Sequence, residues 1–282
     1  MKTILYATDY SENSVSALQL AITFAQKFDA NLIVMHVFDI PISLASTVSV
    51  SYMKKEKRLF VEHRTKLKEF LIQHLGAAKA MDMDINYVVN EDGSVSDGIL
   101  DTALNFHADL ICVGSKGASA AKEFLLGSTA KALLKKAPCP LFVVPADREM
   151  AQLHKMVYAT DFERADIYGI KKLVKIAQKF GAQIRVVHIT GKKEYAGEER
   201  MEWFKEMLQE KVDYAQLEFD LIFSDTVFEE LMWYVEDCEA DLLAMLERKD
   251  STFYQKYLQP DLVRKMAKKS TIPLLSFNVG VL

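Results

Sequence analysis

Short apolar runs alternate along the chain with longer segments in which apolar positions recur every third or fourth residue. This pattern predicts a strand from Thr3 to Ala7, then a helix from Ser14 to Phe28 with Leu18, Ile22 and Ala25 on one face, then a buried strand from Leu32 to Val37. A long polar helix follows from about Tyr52 to Leu75, then an alternating strand from Met83 to Val89 and a helix from Ser96 to Asn105. Leu110 to Val113 and Leu141 to Val144 supply two further strands, flanking a helix that starts near Ser128. Five strands separated by helices is the signature of a parallel α/β sheet.

The whole pattern then repeats. Tyr6-Ala7-Thr8-Asp9 returns 152 residues later as Tyr158-Ala159-Thr160-Asp161, and at the same offset Ala25-Gln26-Lys27-Phe28 returns as Ala177-Gln178-Lys179-Phe180, and His36 as His188. The offset falls to 132 at Ala108-Asp109-Leu110 and Ala240-Asp241-Leu242, then becomes 133 at Lys135-Lys136 and Lys268-Lys269, so the second copy is shorter in its middle. Its strands are expected near Met156, from Ile184 to Ile189, Leu217 to Phe223, Leu242 to Met245 and Leu274 to Phe277. The reading is two tandem domains, 1-148 and 149-282, joined by the charged stretch around Ala146 to His154.

A chain of 282 residues, half hydrophobic and 26% charged, has globular composition with enough length for two cores. Its net charge of -4 leaves no overall basic surplus, which argues against general nucleic-acid binding. No apolar stretch approaches the length of a membrane span, and the opening residues do not form a signal peptide. Cys112, Cys139 and Cys238 are widely spaced with no zinc-type pairing, which suits a reducing compartment and predicts a cytoplasmic protein without a metal site.

In open parallel sheets, ligands bind where the strand order reverses, which directs attention to the loops after the first and fourth strands. The fourth strand of the first copy runs into Val113-Gly114-Ser115-Lys116-Gly117, and nine residues later comes Gly127-Ser128-Thr129. A glycine leaving the strand is expected to turn with positive φ, a second glycine to keep Cβ away from a phosphate, and Ser128 to cap a helix whose N-terminus favours anions. The result would be a phosphate cradle made of backbone.

The spacing G-x2-G-x9-G-S from Gly114 to Thr129 resembles the phosphate loop of the ATP-binding class of universal stress proteins. The resemblance extends to Ala7-Thr8-Asp9 after the first strand, His36-Val37 ending the second, and Pro140 to Val144 as the last. It implies two Rossmann-like domains of the adenine nucleotide alpha hydrolase type, each a five-stranded parallel sheet with helices on both faces. It also implies that Ala7, Thr8 and Asp9 lie at the adenosine, that Val37 meets the adenine through its backbone, and that Val113, Gly114, Gly117, Gly127, Ser128 and Thr129 hold ribose and phosphates. The ligand implied is ATP, with or without magnesium. Ala7 departs from the family, where proline is frequent.

The second copy keeps Asp161 but has Leu246, Lys249, Pro260 and Asp261 in place of Gly114, Gly117, Gly127 and Ser128. Added side chains, a missing N–H and a negative charge all oppose a phosphate there, although Arg248 and Lys249 could attract an anion in another geometry. His36, His188 and Cys112 read as structural, the lysine pairs as answers to helix dipoles, and Met201, Phe204 and Leu208 with Trp203 alongside as core. The stretch Ile40 to Val50 has no counterpart in the second copy and reads as a packed surface loop, a lid or an arm for a protein partner.

Two functions remain open. One is a nucleotide-responsive stress or signalling module that acts through another protein; the other is an adenosine nucleotide-using enzyme such as a weak ATP hydrolase. No HxGH, Ser-Gly-Gly or Walker signature and no dedicated base and nucleophile pair are present, so slow hydrolysis is the most the second allows. The apolar final strands, Leu141 to Val144 and Leu274 to Phe277, predict an internal pseudo-dimer and leave a homodimer possible.

Overall fold

A computed structural model describes residues 1–40, 50–117, 126–146, 152–191, 197–248 and 262–278, the side chains of 50–55 excepted. Most of the stretch from Ile40 to Val50, much of the linker, and Lys249, Pro260 and Asp261 therefore lie outside the described residues. The first copy runs β1 (Thr3–Ala7), α1 (Val15–Phe28), β2 (Asn31–Phe38), α2 (Val50–Leu75), α3 (Ala77–Asp82), β3 (Ile85–Glu91), α4 (Val95–Asn105), β4 (Leu110–Gly114), α5 (Ser128–Lys136) and β5 (Leu141–Val144). The second runs β6 (Lys155–Ala159), α6 (Arg164–Phe180), β7 (Gln183–Thr190), α7 (Gly197–Gln209), β8 (Leu217–Phe223), α8 (Val227–Asp237), β9 (Leu242–Glu247), α9 (Leu262–Lys269) and β10 (Leu274–Asn278).

These boundaries depart from the periodicity mainly around α3. Gly76, at φ 84, ends α2, and the Ala-rich stretch behind it restarts as a short helix. Strand β3 consequently begins at Ile85, two residues later than Met83.

The ten strands form one sheet in the order β3-β2-β1-β4-β5-β10-β9-β6-β7-β8. Each half is parallel throughout, and the halves meet through β5 and β10, which pair antiparallel with Phe142 opposite Leu275. Successive strand residues face opposite sides, so Ile4 and Tyr6 enter one core with α1, α2, α6 and α7, while Leu5 and Ala7 enter another with α4, α5, α8 and α9.

A local two-fold relation accompanies this joint. Lys27 Nζ lies 5.6 Å from the centre of the Phe180 ring, and its repeat counterpart Lys179 lies 5.9 Å from that of Phe28. Between them Phe24 and Phe180 pack with centroids 5.1 Å apart. Among the described residues no helix is long and apolar enough to cross a membrane.

Candidate functional site

In the first copy the strand order reverses between β1 and β4, which leaves a crevice at their carboxyl ends. There a cavity of about 290 Å3 is lined by Ala7, Thr8, Asp9, Val37, Val113, Gly114, Gly117, Gly127, Ser128 and Thr129. Every residue singled out from the sequence thus reaches one space, although the ten come from four separate stretches of chain. Ser14, His36, Val95, Ile99, Lys116 and Ala130 complete the wall. Val95 and Ile99 went unnoticed in the sequence, yet their spacing of four residues puts them on one face of α4.

The glycines are needed for space and not for positive φ. Gly114, Gly117 and Gly127 are absent from the positive-φ residues, which corrects the expectation of a left-handed turn. A Cβ on Gly114 would lie 2.9 Å from the Asn13 carbonyl oxygen, and one on Gly117 would lie 2.8 Å from Asp9 Oδ2. The loop after β4 therefore rests directly against the carboxylate that follows β1. Asp9 is held there by the Ser11 N–H at 3.1 Å and the Ser11 hydroxyl at 2.6 Å, both donating to Oδ1, so it forms an Asx turn and does not cap α1.

Helix α5 opens on this cavity. Its N-cap is Gly127 and not Ser128, which is the first helical residue; no side chain caps the helix. The first-turn N–H groups, from Ser128 to Ala130, have no intrahelical partner and belong to residues that line the space. Gly127 itself donates to the Ser115 carbonyl at 2.8 Å, so its N–H serves the loop. A helix N-terminus with no side-chain cap beside two Cβ-free residues suits an anion.

His36 Nδ1 lies 2.8 Å from the Thr8 carbonyl oxygen, and the ring packs against Tyr10 at 4.1 Å between centroids. The hydrogen bond is the structural role anticipated for it, but the ring also forms part of the cavity wall. Burial lowers its pKa and keeps the imidazole neutral near pH 7. Cys112 is fully buried in β4, Phe204 and Leu208 are core and Met201 packs half-buried against it, whereas Trp203 is 42% exposed, which corrects the expectation that it belongs to the core.

The model of the universal stress protein family matches residues 1–145. The chain belongs to the universal stress protein family. Among its relatives are a universal stress protein of Thermus aquaticus, 30% identical over 149 residues that cover 51% of this chain and 98% of that protein, and one of Methanocaldococcus jannaschii, 30% identical over 145 residues that cover 51% and 81%. A universal stress protein from Archaeoglobus fulgidus shares the fold over 99% of this chain and 98% of its own, with a TM-score of 0.72 at 16% identity. A putative universal stress protein from Pseudomonas aeruginosa does so over 99% and 93%, with a TM-score of 0.63 at 14% identity.

The second repeat has a different arrangement at the matching place. Arg248, the counterpart of Lys116, donates from Nη1 to Asp161, the counterpart of Asp9. Its Nη2 donates to Asp166 Oδ2 at 3.1 Å, and Glu163 lies 3.4 Å from Nη1. Asp166 is fully buried and also accepts from the Tyr158 and Thr160 hydroxyls and from the N–H groups of Asp161 and Glu163. Its first-repeat counterpart is Ser14, a neutral residue whose hydroxyl meets that of Thr8 at 2.8 Å.

Two substitutions between the repeats are therefore matched: a buried carboxylate replaces Ser14, and a guanidinium replaces the lysine ammonium to neutralise it. Arg248 is committed to three carboxylates, which corrects the expectation that it attracts an external anion. Beside it Glu247, in the place of Ser115, faces Arg264 at 3.8 Å. Asp166 was legible only as the residue aligned with Ser14 at the 152 offset, since nothing local marks it as buried.

Proposed function

We propose that the first repeat, residues 1–148, binds one adenine nucleotide, ATP, and that the second, residues 149–282, is a degenerate partner that binds none at the equivalent place. The observation that carries this reading is the convergence of Asp9, Val37, Gly117 and the N-terminus of α5 on one cavity. Its volume of about 290 Å3 is at the lower end of the range for small-molecule sites. Val37, Val95 and Ile99 offer an apolar wall for a base, while Lys116, Gly117 and the first turn of α5 offer N–H groups to phosphates, the Ser115 N–H being donated to the Val144 carbonyl at 2.7 Å. In the second repeat, Arg248 and Glu247, at the positions of Lys116 and Ser115, are engaged in internal ion pairs.

Binding in one half of a continuous sheet suits a nucleotide-responsive stress or signalling module, in which occupancy changes a surface that a protein partner reads. Titration of nucleotide-stripped protein with ATP is expected to saturate at one equivalent, and Gly117→Val is expected to weaken it at least tenfold. Saturation at two equivalents, or unchanged affinity in the variant, would refute the reading.

A further inference from the structure

Asn13 reaches the loop after β4 at two points. Its side-chain Nδ2 donates to the Gly117 carbonyl oxygen at 3.3 Å, and its own carbonyl oxygen lies 2.9 Å from where a Cβ on Gly114 would stand. One residue thus abuts one end of the Gly114 to Gly117 turn and ties the other. The acceptor fixes the orientation of the amide, since only its NH2 group can donate to a carbonyl. Asn13 does not itself line the first cavity, so the Gly117 carbonyl is tied to a group outside the wall.

The backbone of the first repeat is arranged for this contact. Glu12–Ser14 forms a single 3-10 turn, closed by the Ser14 N–H donating to the Ser11 carbonyl at 3.0 Å, and α1 starts only at Val15. In the second repeat regular helix already begins at Arg164, the counterpart of Glu12. At the place of Asn13 stands Ala165, which has no side-chain donor and packs against the apolar cluster that contains Leu246, the counterpart of Gly114. Asn13, the 3-10 turn and the two loop glycines are therefore lost together.

We propose that Asn13 is the positioning residue of the phosphate loop, holding the Gly117 carbonyl away from a phosphate so that N–H groups face it. The proposal rests on the reading of the first cleft as a nucleotide site. A carbonyl oxygen carries partial negative charge, so one turned into the cleft would repel a phosphate where an N–H attracts it. The Asn13 amide selects the orientation of that peptide without touching the ligand. Its effect falls on phosphates and not on a base, which meets Val37, Val95 and Ile99.

The test compares full-length wild type with Asn13→Ala, using ATP and adenosine as probes, and measures amide hydrogen exchange without nucleotide. Calorimetry should show ATP affinity reduced about fivefold, the worth of one neutral hydrogen bond, with adenosine affinity unchanged. Exchange at the Lys116 and Gly117 amides should be faster in the variant. Asn13 is only partly buried, so the variant should melt as the wild type does. A merely structural role would weaken both probes together; that result, or unaltered exchange at the loop, overturns the proposal. Wild type that takes no ATP refutes the nucleotide reading and this proposal with it, whereas ATP bound equally well by both proteins refutes this proposal alone.

Discussion

The Arg248 guanidinium donates to the carboxylate of Asp161, the residue that corresponds to Asp9 in the other repeat. In the first repeat that carboxylate sits against bare backbone at Gly117; in the second it meets an internal cation. One position has thus become a wall of a cavity in one copy and half of an ion pair in the other.

Removal of that cation alone should cost more than its removal together with Asp166. Arg248→Met leaves Asp166 fully buried without its counter-charge, and breaking a buried pair of this kind costs about 3 kcal/mol. Adding Asp166→Ser restores the neutral residue that the first repeat uses as Ser14, and should recover more than half of the loss. Urea unfolding of the single and double variants measures both quantities. A double variant no more stable than Arg248→Met would show that the two substitutions are not matched.

Burial pushes the Asp161 carboxyl up to about 7, assisted by Asp166 and Glu163 and opposed by Arg248. The folded state therefore keeps a proton that the unfolded chain loses near pH 4. Stability from this group is fully present below about pH 4 and is lost as pH rises through about 7. Asp161→Asn cannot titrate, so it should gain on the wild type between those limits by up to about 1.4 kcal/mol per pH unit. Denaturation curves at several pH values give the difference; a difference that does not vary with pH excludes the shift.

The two glycines of the β4 loop should separate binding from folding. A side chain at Gly117 meets the end of the Asp9 side chain, which can swing aside, so Gly117→Val should leave the melting temperature nearly unchanged while binding is lost. A Cβ at Gly114 meets the Asn13 backbone, which cannot move without disturbing the start of α1, so Gly114→Ala should destabilise by about 1–3 kcal/mol. Melting curves and ATP titrations on both variants check the contrast, and the reverse ranking would show that the crowding has been misassigned.

Asp29 and Gly181 end α1 and α6 at corresponding places, both left-handed, with φ 51 and φ 68. Glycine adopts this region without a Cβ penalty, and an aspartate at a helix C-terminus also opposes the dipole. Asp29→Gly should therefore stabilise by about 0.5 kcal/mol, net of the added freedom of the unfolded chain. Guanidinium unfolding with an unchanged slope should show the gain, whereas a loss of stability would mean that Asp29 makes a contact worth more than the strain.

The repeat, the strands and the residues around the first cavity were legible in the sequence because each rests on local information. Apolar alternation marks strands, a period near 3.6 marks helices, and glycine spacing marks a loop that must keep side chains away. Asp9, Gly117 and Gly127 could be named because the sheet topology carries loops of this kind to one crevice whatever the details of packing.

What the local pattern could not supply was partner choice over long range. Arg248 finds Asp161 across 87 residues, and β5 meets β10 with Phe142 opposite Leu275. The sequence alone left Arg248 open to an external anion, since an arginine after a strand has the same local signal with or without carboxylates in reach. Only the folded chain decides between them, because ion-pair energy depends on separation and burial in space and neither is a property of neighbouring residues.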